Sequence, residues 1–541
     1  MNNNPKWLSE LEGTVPEAAY GISINAYTLA FEAWRRGLSV SFENGYSKSR
    51  GRHFIRYVIS NRQKSVKFTH NRSDQVSQKS VKNASNKHKT RKILDGKNVP
   101  VVRNEIVKTA DLKEIKSKID EFKYPVRISK LTSPAKNIAT KTAGGPKEVA
   151  EYIGKELNDN KSQKFLIEES ADSKHYYAYI VDGKVIGVYT KETPYITGDG
   201  TKSINELLID SNNIRKKIPS ITNLEISVDQ KLKNVLKKQN YNVDSVPEPG
   251  KKVTIKSEAG SKDPVDVTDI FSDAMKNKLV KITDFLPGLI QCEVEFLYDE
   301  NTEDYSIFAI NGRPGIRNYL YPMQGEARPV PKAIIDYYFP ETKGEYLSDT
   351  TPKYYFDYEV VNDDLRNNRL SKIVLPEHRY EPNLVSKSIS FQSDYNISKL
   401  KKIMRDYFIR LKFDGEFNVM NNSRFELIIV GNYQDAYYFY DHLNTKKYLK
   451  NITMTDHDGG VNVGYKFNDL RTDISDTPPK PSGAAKAVKN KSSRQIQAYK
   501  KKVRQRDDRI KALEREIEDL KKSQSWKITA PVRKIKSKLR K

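Results

Sequence analysis

The chain has 541 residues, 37% of them hydrophobic and 10% aromatic, too long for one core and apolar enough for two or three. A single cysteine, Cys292, excludes internal disulfides and cysteine clusters for zinc or iron and sulfur. No run approaches the roughly 18 to 20 apolar residues that cross a bilayer, and the N-terminus has no leader-type apolar stretch, so a cytoplasmic multidomain protein is expected.

The net charge of +26 is concentrated in two segments. Residues 46–97 carry 15 Lys and Arg against 2 acids and residues 481–541 carry 21 against 6, so the remainder is nearly neutral. Each segment reads either as a solvated face or as a surface for an anionic partner such as phosphate, anionic polymer, lipid or nucleic acid.

In chain order, residues 17–42 read as helix then strand. Ile24, Tyr27, Leu29, Phe31 and Trp34 lead to Arg35-Arg36-Gly37, and Leu38, Val40 and Phe42 alternate after it. Short strands follow at Phe54 to Ile59 and Val66 to Phe68, then a helix from Lys89 closed by Gly96 and a strand at Val99 to Val102. From 123 to 345, strands at Pro125 to Ile128, Phe165 to Glu168, Tyr176 to Val181, Val185 to Tyr189, Gln291 to Leu297 and Tyr305 to Ile310 mix with helical stretches, which argues an α/β or α+β domain. Residues 345–385 read as a linker rich in Asp, Asn and Tyr. The next 90 or so residues read β-α-β-β-α-β: strand Ser386 to Gln392, helix Ile397 to Arg410, strands Gly415 to Met420 and Phe425 to Val430, helix Gln434 to Leu443, and a closing strand near Gly460 to Tyr465. That order predicts a split ferredoxin-like unit.

The tail has the cleanest periodicity. Ile496, Tyr499, Val503, Arg506, Ile510, Leu513, Ile517 and Leu520 alternate spacings of three and four, a heptad repeat with β-branched residues at a, for which a homodimeric coiled coil is preferred over a single docked helix. Beyond it Trp526, Ile528, Val532, Ile535 and Leu539 interleave with seven basic residues, the pattern of a cationic segment on an anionic membrane surface. The phrase Ser525 to Pro531 resembles the tails of bacterial surface-polysaccharide glycosyltransferases, which implies a location at the cell envelope.

No Gly-x-Gly-x-x-Gly opens a helix, no P-loop occurs, and the seven histidines lack zinc-ligand spacing. A longer series is informative: Asn86-Lys87-His88-Lys89-Thr90, Val99-Pro100-Val101, Tyr124-Pro125-Val126, Ile167-Glu168-Glu169, Thr197-Gly198-Asp199-Gly200 with Ser203 to Leu207, Val265 to Asp269, and Asn311 to Asn318 with Tyr321-Pro322. In order and spacing this resembles the ATP-grasp ligases of the cyanophycin-synthetase-like kind over some 250 residues. The resemblance implies an ATP-grasp fold in which ATP lies between two α+β lobes, a carboxylate becomes an acyl phosphate and an amine displaces the phosphate. It implies Lys87, Lys130 and Glu168 at the nucleotide, Glu293 and Asn311 on Mg²⁺, and Arg313 and Arg317 on the carboxylate or acyl phosphate.

Departures from the family pattern are equally specific. Ser129 stands where the family has a lysine, with Lys130 one place on; Tyr177 stands for an arginine; Ala309 stands for a metal-binding glutamate, with Glu295 nearby; and the loop 132–137 contains no glycine. The unit at 386–466 resembles acylphosphatase but has Lys401 and Val419 where that family has its working arginine and asparagine, so no hydrolase activity is expected.

These readings give an α+β multidomain chain. They divide it into an N-terminal α/β domain (1–85), an ATP-grasp-like domain (86–345), a linker (346–385), an acylphosphatase-like domain (386–468), a hinge (469–490), a coiled coil (491–522) and a basic amphipathic tail (523–541). Three functions compete: a carboxylate–amine ligase with small-molecule or polymer substrates in envelope polymer synthesis, a non-catalytic ligand-binding scaffold, and nucleic-acid binding through the basic segments. The last has no recognised module behind it, so nucleic acid is not the expected partner.

Overall fold

Helix Ile24–Arg35 is apolar on almost every side and eleven of its twelve residues are buried, so elements must close around it from all directions. It ends at Arg36 because Gly37 takes φ +75°, a left-handed conformation that breaks the helical ladder. In the computed structural model, which describes residues 5–47, 51–132, 136–160, 162–169, 174–257, 262–344, 352–378 and 383–471, this helix lies against a five-stranded sheet. The sheet order is Lys372–Val374, Ser39–Ser47, Arg52–Ser60, Ser65–Thr69, Arg72–Ser73. Val40, Phe42, Tyr57, Ile59, Val66 and Phe68 form its inner face.

The stretch read as a linker is part of this core. Strand Lys372–Val374 pairs with Ser39–Ser47, and helix Tyr358–Arg366 buries Tyr358, Val361 and Leu365. Phe356 packs 4.9 Å from the Tyr27 ring centroid, and Trp34 Nε1 donates to the Pro376 carbonyl at 2.6 Å. Glu359, Asp363 and Arg366 lie on the outer side of helix Tyr358–Arg366, while Tyr354, Phe356 and Tyr358 fill the core and the buried Asn362 donates to the Ala18 carbonyl at 3.0 Å. The boundary expected at residue 85 also shifts: Val76, Val81 and Ala84 belong to the core of the large sheet described next.

That sheet is antiparallel, in the order Asp263–Asp266, Lys184–Glu192, His175–Val181, Gln291–Tyr298, Tyr305–Asn311. Tyr176, Ala178, Ile180, Cys292, Val294 and Phe296 point to one side, where helices Gln78–Ala84, Lys87–Asp95 and Asp273–Thr283 cover them. Alternation therefore sends Tyr177, Tyr179, Glu293 and Glu295 to the opposite face. The strand expected at Val99 to Val102 is a single bridge, Val101 to Ile307, because only one turn of chain runs beside the edge strand. An inserted subdomain with helices Ile204–Lys216 and Gln230–Lys237 has its own small core; its first helix starts on the capping box Ser203 and Glu206.

The smaller sheet has the order Asn104–Val107, Lys164–Glu168, Val126–Thr132, Lys136–Ala143. Ile115 and Ile119 of one helix and Val149 and Ile153 of another pack onto Val126, Ile128, Phe165 and Ile167. Arg127, Ser129 and Glu168 lie on its other face, with Arg127 opposite Glu168 in the register.

The last described unit orders its strands Lys450–Asp456, Leu384–Gln392, Arg424–Asn432, Asp414–Val419, Tyr465–Asp469, with helices Ile397–Leu411 and Tyr433–Asn444 on one face. The closing strand of the β-α-β-β-α-β run is Lys450–Asp456, not the 460–465 stretch expected. Its alternation of Ile452 and Met454 with polar residues is only half-buried and gives a faint apolar signal. Val461–Asn462 pairs instead with Tyr354–Tyr355. Most of the expected hinge, the coiled coil and the tail fall within 472–541, outside the described residues.

Candidate functional site

The open faces of the small and large sheets meet around Phe308. The strand pair Gln291–Tyr298 and Tyr305–Asn311 runs in register Glu295 to Ala309 and then Phe296 to Ile307, so Phe308 is the extra residue of a β-bulge. A bulge re-aims one side chain and removes its backbone from the ladder. Arg91 takes up the Phe308 carbonyl, with Nε at 2.8 Å and Nη2 at 2.6 Å. The same Nη2 donates to Glu168 Oε1 at 2.7 Å, and both side chains of that ion pair are 1% exposed.

Three cations converge on the Phe308 ring. Lys87 Nζ lies 4.1 Å from its centroid, Arg91 Cζ 4.7 Å and Arg127 Cζ 5.6 Å, while the His175 ring meets it edge-on at 4.7 Å. Burial holds the Lys87 ammonium below its usual range against the opposing pull of Glu168 and Glu295.

Beside this cluster opens a cavity of about 410 Å³ lined by Arg127, Lys174, His175, Tyr177, Lys191, Lys262 and Glu295. Five of the seven are cationic or become so on protonation, and the lone carboxylate is already engaged: His175 Nδ1 lies 2.9 Å from Glu295 Oε1. Burial works against ionising Glu295, yet the His175 hydrogen bond and the Lys87 charge outweigh it and keep the carboxyl below its usual range. Lys191 Nζ sits 4.5 Å from the Tyr177 ring, which stacks on Tyr189 at 4.8 Å. A polyanion has many donors to meet here and little carboxylate to repel it.

One step along the same face, Glu293 pairs in register with Asn311. Burial pushes the Glu293 carboxyl up to about 7, although Tyr319 donates to its Oε2 at 2.8 Å. A carboxyl that holds its proton more tightly than usual, beside the Asn311 side chain, supplies oxygen donors that a hard divalent cation would complete, and the cation's charge would favour the ionised form.

Of the residues expected from sequence, Lys87, Glu293 and Asn311 reach this face. Glu168 lies beneath it, closed into the ion pair with Arg91 rather than presented to a ligand. Lys130 does not face it at all: opposite Phe165 in the register it points to the helix side of the small sheet and pairs with Glu156 on helix Pro146–Asp159. Strand alternation carries Arg127, three residues earlier, to the cavity in its place. Arg313 and Arg317 separate; Arg317 Nη1 donates to Ser220 Oγ at 3.3 Å, and Arg313 lies in the exposed loop after Asn311. Sequence reasoning passed over Arg127, Lys174, His175, Lys191 and Lys262. For Arg127 the signal was present, since a strand with Val126 and Ile128 buried must point 127 and 129 the other way. The middle of the loop expected to approach phosphate, 133–135, is outside the described residues.

No family model matches the chain. Among the curated proteins similar to this chain, the cyanophycin synthetase of Synechocystis sp. is 24% identical over 273 residues, 48% of this chain and 31% of that protein. The glutathione biosynthesis bifunctional protein GshAB of Clostridium perfringens is 25% identical over 194 residues, 34% of this chain and 25% of that protein. The chain thus spans a third or less of the length of these relatives. Among solved structures, a bifunctional glutathione synthetase from Pasteurella multocida aligns with a TM-score of 0.44 and 16% identity over 56% of this chain and 42% of that one. D-alanyl-alanine synthetase A from Vibrio cholerae aligns with a TM-score of 0.27 and 10% identity, over 49% and 65%.

Breaking the buried pair leaves an uncompensated charge, so Glu168→Ala is expected to lower the unfolding free energy by about 3–5 kcal/mol. Urea denaturation of this variant against the parent measures it, and a loss below about 1 kcal/mol would show that Arg91 finds another partner.

Proposed function

We propose, from the premise that the central region is related to the ATP-grasp ligases, that this protein is an ATP-dependent carboxylate–amine ligase. The observation that carries the reading is the cation-lined cavity beside Phe308 together with the Glu293 and Asn311 pair on the same sheet face. Its cations suit a triphosphate, and the carboxylate–amide pair suits Mg²⁺.

In this reading Lys87, Arg127 and Lys191 neutralise phosphate charge, and Glu293 and Asn311 hold Mg²⁺, which when bound draws charge from the phosphates as it develops. The substrate carboxylate attacks the γ-phosphorus, ADP leaves, and the amine then attacks the acyl carbon and expels phosphate. Positioning and electrostatics supply the catalysis, which is why the substituted positions matter less singly than the charge that survives around them. Where the family has cations at 129 and 177, this chain has Arg127 two residues earlier on the same sheet face and Lys191 against the Tyr177 ring. A binding scaffold without turnover is the second reading, favoured by Ala309 opposite Glu295, which leaves one carboxylate fewer at the metal than the family pattern has.

Calorimetry with a non-hydrolysable ATP analogue and Mg²⁺ tests the site. Arg127→Ala and Lys191→Ala are each expected to weaken binding about tenfold, or about 1.4 kcal/mol, with Lys130→Ala unchanged. Absence of binding at millimolar nucleotide contradicts the ligase and the nucleotide-binding scaffold alike. Phosphate release with carboxylate and amine present separates the two.

The finer reading assigns the protein to envelope polymer synthesis, as a dimer touching the inner membrane surface. The heptads at 496–520 and the basic segment 523–541 support it. The full chain is then expected to float with vesicles containing anionic lipid and to lose this above about 0.5 M salt, where the Debye length falls to a few ångströms. Equal flotation with neutral vesicles would oppose it.

A further inference from the structure

Beyond the cavity, the turn His70 to Ser73 of the N-terminal sheet is clamped onto the loop 311–315. Asn71 Nδ2 donates to the Pro314 carbonyl at 2.8 Å and to the Tyr179 hydroxyl at 2.9 Å, and the Asn71 carbonyl accepts from Gln291 Nε2 at 2.7 Å. Asn71 is 3% exposed, so this clamp is part of the core rather than a surface contact. On the other side of the loop Gly312 lies so close to helix Gln78–Ala84 that a Cβ would come within 3.2 Å of Val81 Cα. The loop is therefore held from two sides, and Arg72 and Arg313 each stand one residue from the Asn71 to Pro314 hydrogen bond, near enough for the charge of one to act on the other.

Two guanidinium charges in one corner repel, and folding normally places an acid near them. Among the described residues neither Arg72 nor Arg313 forms an ion pair, and Arg72 Nη1 is buried without a hydrogen-bond partner. Burial, and then the Arg313 charge, hold the Arg72 guanidinium below its ordinary value. His70, whose imidazole is held down by burial and by Arg72, adds a third basic group to the same corner. The arrangement is a pair of guanidinium groups with no counter-ion among the described residues, beginning two residues beyond Asn311.

We propose that Arg72 and Arg313 form an anion subsite, shared between the N-terminal sheet and the 311–315 loop, that holds a non-reacting carboxylate or phosphate of one substrate. This rests on the ligase reading and narrows it: one of the two substrates carries an acidic group in addition to the groups that react. Two guanidinium forks grip planar carboxylate or phosphate oxygens bidentately, which a pair of lysines does not reproduce. The N-terminal sheet thereby becomes part of substrate recognition.

The test is calorimetric titration of the full chain with glutarate and, separately, with inorganic phosphate. At least one of them is expected to bind saturably and to bind about tenfold more weakly to Arg72→Gln and to Arg313→Gln, while Lys130→Gln, on the helix side of the small sheet, keeps the parent affinity. The tighter of the two probes identifies the group as carboxylate or phosphate. Arg72→Lys, which keeps the charge, is expected to recover only part of the loss, and matching thermal midpoints show that the variants are folded. Unchanged anion binding in Arg72→Gln and Arg313→Gln, loss confined to Lys191→Gln, or no anion binding by the parent overturns the subsite. The ATP analogue keeps the readings distinct: if it binds the parent and Arg72→Gln equally while the anions are indifferent to Arg72, the subsite fails and the ligase site stands. If it binds neither, the ligase reading fails whatever the anions do.

Discussion

The pairing of Arg91 with Glu168 and with the Phe308 carbonyl is the contact on which the site depends. It joins helix Lys87–Asp95, the small-sheet strand Lys164–Glu168 and the bulged edge strand of the large sheet through one guanidinium. A buried ion pair gains little net stability because desolvation offsets its attraction, but it is costly to break and therefore fixes geometry. Here it fixes the distance between two sheets whose open faces carry the cations. The bulge at Phe308 leaves a carbonyl outside the ladder, and Arg91 satisfies it where an unpaired one would cost on the order of 1–3 kcal/mol.

Around that hub the chain keeps a cationic cavity while changing which residues supply it. Ser129, Tyr177 and Ala309 depart from the ATP-grasp pattern at three points, yet Arg127, Lys191 and Glu295 lie on the same faces within one or two residues or one strand of each. Charge in a low-dielectric cleft acts over several ångströms, so a cation displaced by one register position still reaches a phosphate. Metal coordination is less forgiving, since a ligand must sit within a few tenths of an ångström, so in the proposed ligase reading Ala309 in place of a carboxylate is the substitution that bears most directly on turnover.

Much of this was legible in the sequence. Helix Ile24–Arg35, the large-sheet strands other than Asp263–Asp266, and the elements of the last unit from Leu384 to Asn444 follow from periodicity, because each presents a continuous apolar face, whereas the closing strand Lys450–Asp456 does not. Lys87, Glu293 and Asn311, singled out by ordered motifs, lie beside Phe308 or on the open face of the large sheet. What sequence obscured has physical causes. Residues 352–378 look like a linker because their elements are short and the buried apolar residues Tyr354, Phe356, Tyr358, Val361, Leu365 and Leu375 are scattered among polar ones. Lys130 looked like the replacement lysine because it is adjacent in sequence, whereas a strand puts adjacent residues on opposite faces. Glu168 looked available because its partner, Arg91, is 77 residues away. The hydrogen bond from Asn71 to the Pro314 carbonyl joins positions 243 residues apart, and no local pattern marks it.

The central claim, that nucleotide binds between the open faces of the two sheets, is tested most directly by hydrogen–deuterium exchange of the full chain with and without a Mg²⁺-bound non-hydrolysable ATP analogue. The account predicts slower exchange in segments 87–95, 126–132, 175–192 and 291–311, with 384–469 unchanged. No change in those four segments at saturating analogue, or protection confined to 384–469, would contradict it.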